Sequence, residues 1–287
     1  VIGLVNFVAG AGAAIATGYF TDYIKAAAPP GEAADKSSSE SAIRATILQE
    51  RLQSQQGELW VFPYRLSTKP LLLNLVLNGF KSEDERIRSF YREGAVDVNL
   101  TRMKLIVEGR RNLGVRIVDM RAQVLKRSAP LSGGTVLTPG PQGAGESAVI
   151  GFDLDSTDLS ALSIDDKPEA DAYSDDFFGE HYFQRNTVSL LRNEQQVFQI
   201  TARTVKHYVE WQIDIVVLEE GQEKTYTVGI SENPVKTTSS VHEDTGHMDS
   251  AAIPDETQYA EVYIENHFSG STDTPIEANS AVFVRTK

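Results

Sequence analysis

From Ala95 onward, apolar residues mostly recur at every second position. Val96, Val98 and Leu100 alternate with polar neighbours, and Met103, Leu105 and Val107 do the same. A period of two places one set of side chains on one face of a strand. Further strands are expected over Val115–Lys126, Ala148–Leu154, Thr187–Leu191, Gln196–Val205, Tyr208–Leu218 and Lys224–Ile230. Glu108–Gly114 and Glu219–Gln222 read as turns, Ser132–Gly134 and Pro139–Gly143 as loops. Upstream, Leu59–Leu66 reads as a strand in which Pro63 marks an edge or a bulge, and Leu71–Leu77 as a buried strand. Tyr259–Glu265 and Ala281–Val284 are candidate additions. The expected class is mainly β, a β-sandwich (Ig-like or jelly-roll-like) of about ten strands with Trp211 in mid-strand at its core.

Two helices are expected ahead of the sheets. Ser39–Gln56 has Ile43, Ile47, Leu48 and Leu52 on one side, Ser39 as N-cap and Gly57 as its end. Ser82–Arg92 carries a capping box, Ser82 with Glu85, before Ile87 and Phe90.

The pattern at the start is of another kind. Val1–Phe20 (VIGLVNFVAGAGAAIATGYF) has no charge, and twenty helical residues span about 30 Å, the thickness of a bilayer's hydrocarbon core. Tyr19, Phe20 and Tyr23 cluster where the apolar run stops, as interfacial aromatics do. Gly10, Ala14 and Gly18 form a small-xxx-small face suited to helix association. The reading is a single-pass transmembrane helix. A cleaved signal peptide would show a shorter apolar core and a cationic start. The Gly10-Ala11-Gly12-Ala13-Ala14 stretch mimics part of a dinucleotide loop, but Ala26-Ala27-Ala28-Pro29-Pro30-Gly31 intervenes and no parallel βαβ pattern follows. A buried hairpin helix of a soluble domain is the remaining rival. The expected division is residues 1–24 as transmembrane helix, 25–56 as linker and juxtamembrane helix, 57–232 as β-sandwich and 233–287 as polar C-terminal extension. Few Lys or Arg follow the span, which favours an extracytoplasmic C-terminal bulk at the cell membrane.

Composition adds three limits. Of 287 residues, 41% are hydrophobic, sufficient for a substantial core. Cysteine is absent, so no disulfide, zinc ribbon or thiol nucleophile exists. A net charge of −13 argues against nucleic acid as the partner. The charge is unevenly spread, with 16 basic and 9 acidic residues over Arg44–Arg127 against 9 basic and 27 acidic from Ser128 onward. The first reading is that the halves pair across one sheet with cross-strand charges matched. The second is a basic face turned toward anionic lipid headgroups.

Candidate chemistry is sparse. Asp153–Glu180 reads as a long acidic loop with ten carboxylates and one lysine. In it Asp153, Asp155 and Asp158 lie close in sequence, with Asp175, Asp176 and Glu180 able to fold back, and hard oxygen ligands of this kind suit Ca²⁺. The EF-hand pattern is not met, because Asp158 stands where the loop needs Gly and Ile164 where it needs Glu. His181, His207, His242, His247 and His267 match no metal spacing and read as solvated. No Gly-x-Ser-x-Gly, HExxH or phosphate-binding loop occurs. A carboxylate pair for glycoside hydrolysis is defined only in three dimensions. Trp60, Tyr64, Tyr173, Tyr182, Tyr208, Tyr226, Tyr259 and Tyr263 are spaced as packing residues of strands, with an aromatic binding face as the rival reading.

The ordered pieces VEGRRNLGVRIVDMRAQVLKR, APLSGGT, QGAGES leading into FDLD, HYFQRNTVSLLRNEQQVFQITARTVKHYVEWQIDI and NPVKTT lie within about Val107–Thr238. In these the chain resembles a group of actinobacterial proteins, each with one N-terminal transmembrane helix and a β-rich extracytoplasmic domain. The resemblance covers a little under half of the chain and consists of strand and turn positions. It implies an anchored bacterial surface protein, carries over no catalytic residues and adds nothing about activity. The anchor's Gly10, Ala14 and Gly18 face and the long polar tail point instead to the expected function, a non-enzymatic binding or structural component of a cell-envelope assembly. Its expected partners are membrane lipid and either a second copy or other envelope proteins. A calcium-dependent carbohydrate- or wall-binding module is the alternative, followed by an extracytoplasmic hydrolase.

Overall fold

The computed structural model describes residues 41–48, 59–79, 83–138, 149–164, 177–229, 234–240, 258–265 and 283–285. They form a mainly β structure with two sheets. The six-stranded sheet runs in the order β1 (Ile43–Leu48), β4 (Leu100–Gly109), β11 (Gln195–Arg203), β7 (Val149–Asp153), β8 (Leu162–Ile164) and β9 (Phe178–His181). The ten-stranded sheet runs β10 (Val188–Leu190), β5 (Val115–Ser128), β12 (Tyr208–Glu219), β14 (Val235–Thr238), β3 (Val96–Val98), β2 (Trp60–Phe62), β6 (Thr135–Thr138), β15 (Glu261–Glu265) and β16 (Phe283–Arg285). The tenth strand, β13 (Gln222–Val228), shares an edge of β12 with β14: β13 takes Ile213–Glu219 and β14 takes Tyr208–Trp211.

One hydrophobic cluster draws on both sheets. Met103, Leu105, Val107, Phe152, Phe198 and Ile200 come from the six-stranded sheet, and Ile117, Met120, Trp211, Ile213, Ile215 and Val217 from the ten-stranded one. The inward residues of β12 fall at every second position, as the alternation required, and Trp211 is fully buried with its ring 6.0 Å from that of Phe152. Each such side chain contributes roughly 1.5–3 kcal/mol on leaving water. The far half of the ten-stranded sheet is covered differently. Helices α1 (Pro70–Asn78) and α2 (Glu83–Arg92) bring Leu72, Val76, Ile87 and Phe90 onto Trp60, Phe62 and Leu137. The ring of Phe90 stands edge-on to Trp60 at 5.0 Å. Burial of Trp60, Tyr208, Tyr259 and Tyr263 makes these aromatics packing residues.

Several elements depart from the sequence expectation. Ile43–Leu48 is a strand rather than part of a helix over Ser39–Gln56, pairing antiparallel with β4 from Ile43 opposite Gly109. Ile43 and Ile47 fit periods of both two and 3.6. Exposed Arg44 and Thr46 between half-buried Ala45 and Ile47 fit only the former, and the β-branched residues prefer the strand. The remainder of that helix, residues 49–56, lies outside the described residues.

Leu71–Leu77 is helical, not a strand. Pro70 occupies the first turn, where its missing N–H costs nothing, and Gly79 (φ 92°) ends the helix. Only Leu72 and Val76, four apart, are buried there, while Leu71 is 85% exposed. The strand at Leu59–Leu66 stops after Phe62. Because β2 lies between β3 and β6, Pro63 terminates a central strand rather than marking an edge.

The stretch Asp153–Glu180, expected as one loop, contributes β8 and β9 to the six-stranded sheet, and β6 and β14 are strands that alternation did not mark. Beyond residue 232, β14, β15 and β16 all belong to the ten-stranded sheet. Among the described residues no helix is long and apolar enough to cross a membrane. The proposed span Val1–Phe20, with Gly10, Ala14 and Gly18, lies outside the described residues, as do Asp175, Asp176, His242, His247 and His267.

Candidate functional site: the corner around Asp155

β7 and β11 run parallel, with Asp153 opposite Arg203, so the chain leaves the sheet twice at the same end. The Leu154 N–H extends the ladder by donating to the Arg203 carbonyl (2.8 Å). One residue further, the Asp155 carboxylate faces the connection from β11 to β12. Its Oδ1 accepts from the Thr204 hydroxyl (2.8 Å) and lies 2.8 Å from His207 Nδ1, and its Oδ2 accepts from the Val205 N–H (2.7 Å). That connection carries the chain from one sheet to the other. It needs a polar anchor because its own N–H groups have left the ladder.

The opposite crossing lies alongside. The chain passes from β3 to β4 at Asn99, whose φ of 62° is the left-handed conformation that Asn tolerates better than most residues. The Asn99 carbonyl accepts from the Thr204 N–H (2.9 Å), and its N–H donates to the Thr238 carbonyl (2.7 Å). Its side-chain Oδ1 accepts from the Ser240 N–H (2.7 Å). Ser239 N–H donates to the His207 carbonyl (2.8 Å). Deeper in, Thr101 and Thr237 share a hydroxyl hydrogen bond (2.7 Å), and Trp211 Nε1 donates to Thr237 (3.0 Å). Asn99, Thr101, Thr204, Thr237, Thr238, Ser239 and Ser240 are all buried. Five chain segments from both sheets are thus fastened by one polar cluster.

Burial of Asp155 alone would raise its carboxyl pKa. The Val205 N–H, His207 and Thr204 bonds outweigh that and hold it below the ordinary aspartate value. The three sequence-candidate aspartates therefore have separate duties. Asp153 Oδ1 accepts from the Asp155 N–H (3.1 Å), and its Oδ2 lies 3.6 Å from Arg203, whose guanidinium stacks over the Phe178 ring at 4.7 Å. Asp158 Oδ1 accepts from the Ser160 N–H (3.0 Å), the main reason its pKa is lowered, and its Oδ2 lies 3.5 Å from His181 Nε2. Glu180 pairs with Arg185 at 2.6 Å. Among the described residues no group of three or more His, Asp or Glu is placed to hold a metal ion.

Asp158 also lines an open cleft of about 500 Å³ with Arg121, Gln123, Ser160 and Asp214. The stretch over Leu159–Ala161 lies along β5 there, through Ala122 N–H to the Leu159 carbonyl and Ala161 N–H to the Met120 carbonyl, each 2.8 Å. The sequence reading missed Asn99, Thr204 and the Thr237–Ser240 run, and it took His207 as simply solvated. A polar Thr-x-x-His between two apolar strands was the available signal. No protein-family model matches this chain, and comparison with curated proteins and with solved structures finds no match.

Proposed function

We propose that this chain is a membrane-anchored, non-enzymatic β-sandwich protein that acts as a binding or structural component of a cell-envelope assembly. The observation that supports it is how the polar groups are used. Asp155, His207, Asn99 and Thr204, the most convergent polar set, all bond to backbone or to one another where the chain changes sheets. A scaffold joined rigidly in this way suits the presentation of surfaces, and the uncharged Val1–Phe20 segment supplies the anchor.

Mild crosslinking before detergent extraction tests the reading, with the full chain beside a version lacking residues 1–24. Recovery of a discrete partner or homo-oligomer by the full chain alone supports it, and Gly10→Leu with Gly18→Leu should weaken that association. Monomeric, uncrosslinked protein in both samples would count against an assembly role. The alternative, a calcium-dependent wall-binding module, draws only on Asp158 and Asp214 sharing the open cleft. Asp153 and Asp155 have their oxygens engaged elsewhere.

A further inference from the structure

We infer that the end of the domain formed by the β4–β5 and β10–β11 turns rests on the lipid surface, with Leu113 and Leu191 entering the boundary between headgroups and acyl chains. The inference builds on the anchoring proposed above. Both leucines sit at the tips of turns and leave much apolar surface exposed. Leu113 is 80% exposed and Leu191 53% exposed. The Leu191 side chain lies against Gly114, next to Leu113, so the two turns present their leucines together; a Cβ on Gly114 would meet Leu191 Cδ2 at 3.2 Å. The turns are locked to each other, since Asn193 N–H donates to the Gly109 carbonyl (2.8 Å) and Gly109 N–H to the Glu194 carbonyl (2.9 Å). The leucines are therefore held on a rigid base.

The chain's path selects this end over other exposed apolar residues. Arg110 N–H donates to the Ala42 carbonyl (2.9 Å), and Ile43 stands opposite Gly109. Ala42 and Ile43, which follow the uncharged Val1–Phe20 stretch in the chain, therefore lie beside the same turn that carries Leu113. Leu71, equally exposed, sits on α1, which packs on the other half of the ten-stranded sheet.

The polar surroundings suit an interface. Exposed Arg116 and Arg192 flank the leucines, with Arg192 3.4 Å from Asn112 Oδ1. Several carboxylates at this end are held by protein groups, Glu219 by Arg111 and Lys224, Glu108 by Arg110 and Glu194 by the Leu191 N–H, while Glu220 and Glu223 on the β12–β13 turn are exposed. Leucine at the acyl boundary with arginine at the phosphate level is the arrangement of interfacial segments.

The absence of cysteine allows a direct test. The full chain is prepared with a single Leu113→Cys, Leu191→Cys or Leu71→Cys substitution, spin-labelled, and reconstituted into phosphatidylcholine vesicles with and without phosphatidylglycerol. Flotation first reports whether the chain is anchored. Labels at 113 and 191 are expected to collide more with oxygen than with an aqueous nickel chelate, and the label at 71 to show the reverse. A stronger oxygen preference with phosphatidylglycerol would show that the arginines take part, and an equal one that the leucines suffice. A chain that floats with 113 and 191 as water-exposed as 71 overturns the inference while leaving the anchor in place. A label at 71 that enters lipid with the others overturns the proposed orientation. A chain that does not float overturns both.

Discussion

Replacing Asp155 should unfasten the two sheets at their shared corner, and the loss should fade in acid. Its carboxylate accepts three bonds, from Thr204, Val205 and His207, at 2.7–2.8 Å. Hydrogen bonds to a charged group are worth about 1.5–3 kcal/mol each, but exposed donors recover much of that from water. Val205 is exposed and the His207 side chain is 36% exposed, whereas Thr204 is fully buried. The full value therefore applies to one bond and a fraction to the other two, giving about 2–4 kcal/mol for Asp155→Ala. For a domain of this size that corresponds to a melting temperature lower by about 5–10 °C.

Asp155→Asn should cost less, because the amide oxygen still accepts two bonds, but its nitrogen then meets the Val205 N–H. Asp155 has a folded pKa below its unfolded value, so its contribution is complete above the ordinary aspartate range. It is lost as the pH falls through the lowered folded pKa. Thermal melts of wild type and Asp155→Asn from neutral pH downward should therefore begin to converge as the pH drops below about 3.9, the unperturbed aspartate pKa, and meet once it has fallen through the lowered folded pKa. A gap that stays constant over that range, or a substitution without effect at neutral pH, would refute the assignment of Asp155 as a charged acceptor.

Other substitutions probe the same architecture. Asn99→Ala should lose about 2–4 kcal/mol in chemical denaturation, from the left-handed backbone and the buried Ser240 bond together. Asn99→Gly should recover only the backbone share. Gly134→Ala places a Cβ into the Phe62 carbonyl oxygen, with Phe62 and Pro63 carbonyl carbons 3.0 Å away, so soluble yield should collapse; a normally melting variant would show that β2 and β6 can separate cheaply. Added Ca²⁺ should leave the melting temperature unchanged, since Asp153 and Asp155 already bond to protein groups. A rise abolished by Asp153→Asn with Asp155→Asn would restore the calcium reading.

What the sequence made legible follows from how local each signal is. In β4, β5 and β12, alternation records burial on one face of a long strand, and residues such as Met103, Leu105 and Val107 sit where it placed them. Short elements carry too few periods. Ile43–Leu48 and Leu71–Leu77 each admitted two readings, and partners elsewhere in the chain decided between them: β4 for the first, the face of Trp60 and Phe62 for the second. β6 and β14 are four-residue strands recruited by parallel pairing with β15 and β3, which no local pattern encodes. The Asp155 corner was half visible. The aspartates stood out by clustering, but their donors lie about fifty residues downstream on a segment that the parallel β7–β11 pairing brings alongside.

Part of the uneven charge is matched across the antiparallel β5–β12 pairing. β5, from the basic half, lies beside β12, from the acidic half, with Arg121 opposite Asp214 and Lys126 opposite Glu210. Lys126 lies 3.7 Å from Glu210, and Arg111 bonds to the buried Glu219. Burial would raise the Glu219 pKa, yet Lys224 and Arg111 together hold it below the ordinary glutamate value. An exposed pair such as Lys126 with Glu210 adds little stability, but like charges in the same register would oppose the strand pairing. The charges therefore act on register: slipping β12 by one residue against β5 would set Arg121 beside an inward isoleucine and turn Trp211 to the other face. The uneven charge, whose second reading is a basic face turned toward lipid, is along this sheet a record of which strands meet. The lipid contact inferred above rests instead on two leucines and the point at which the chain enters the domain.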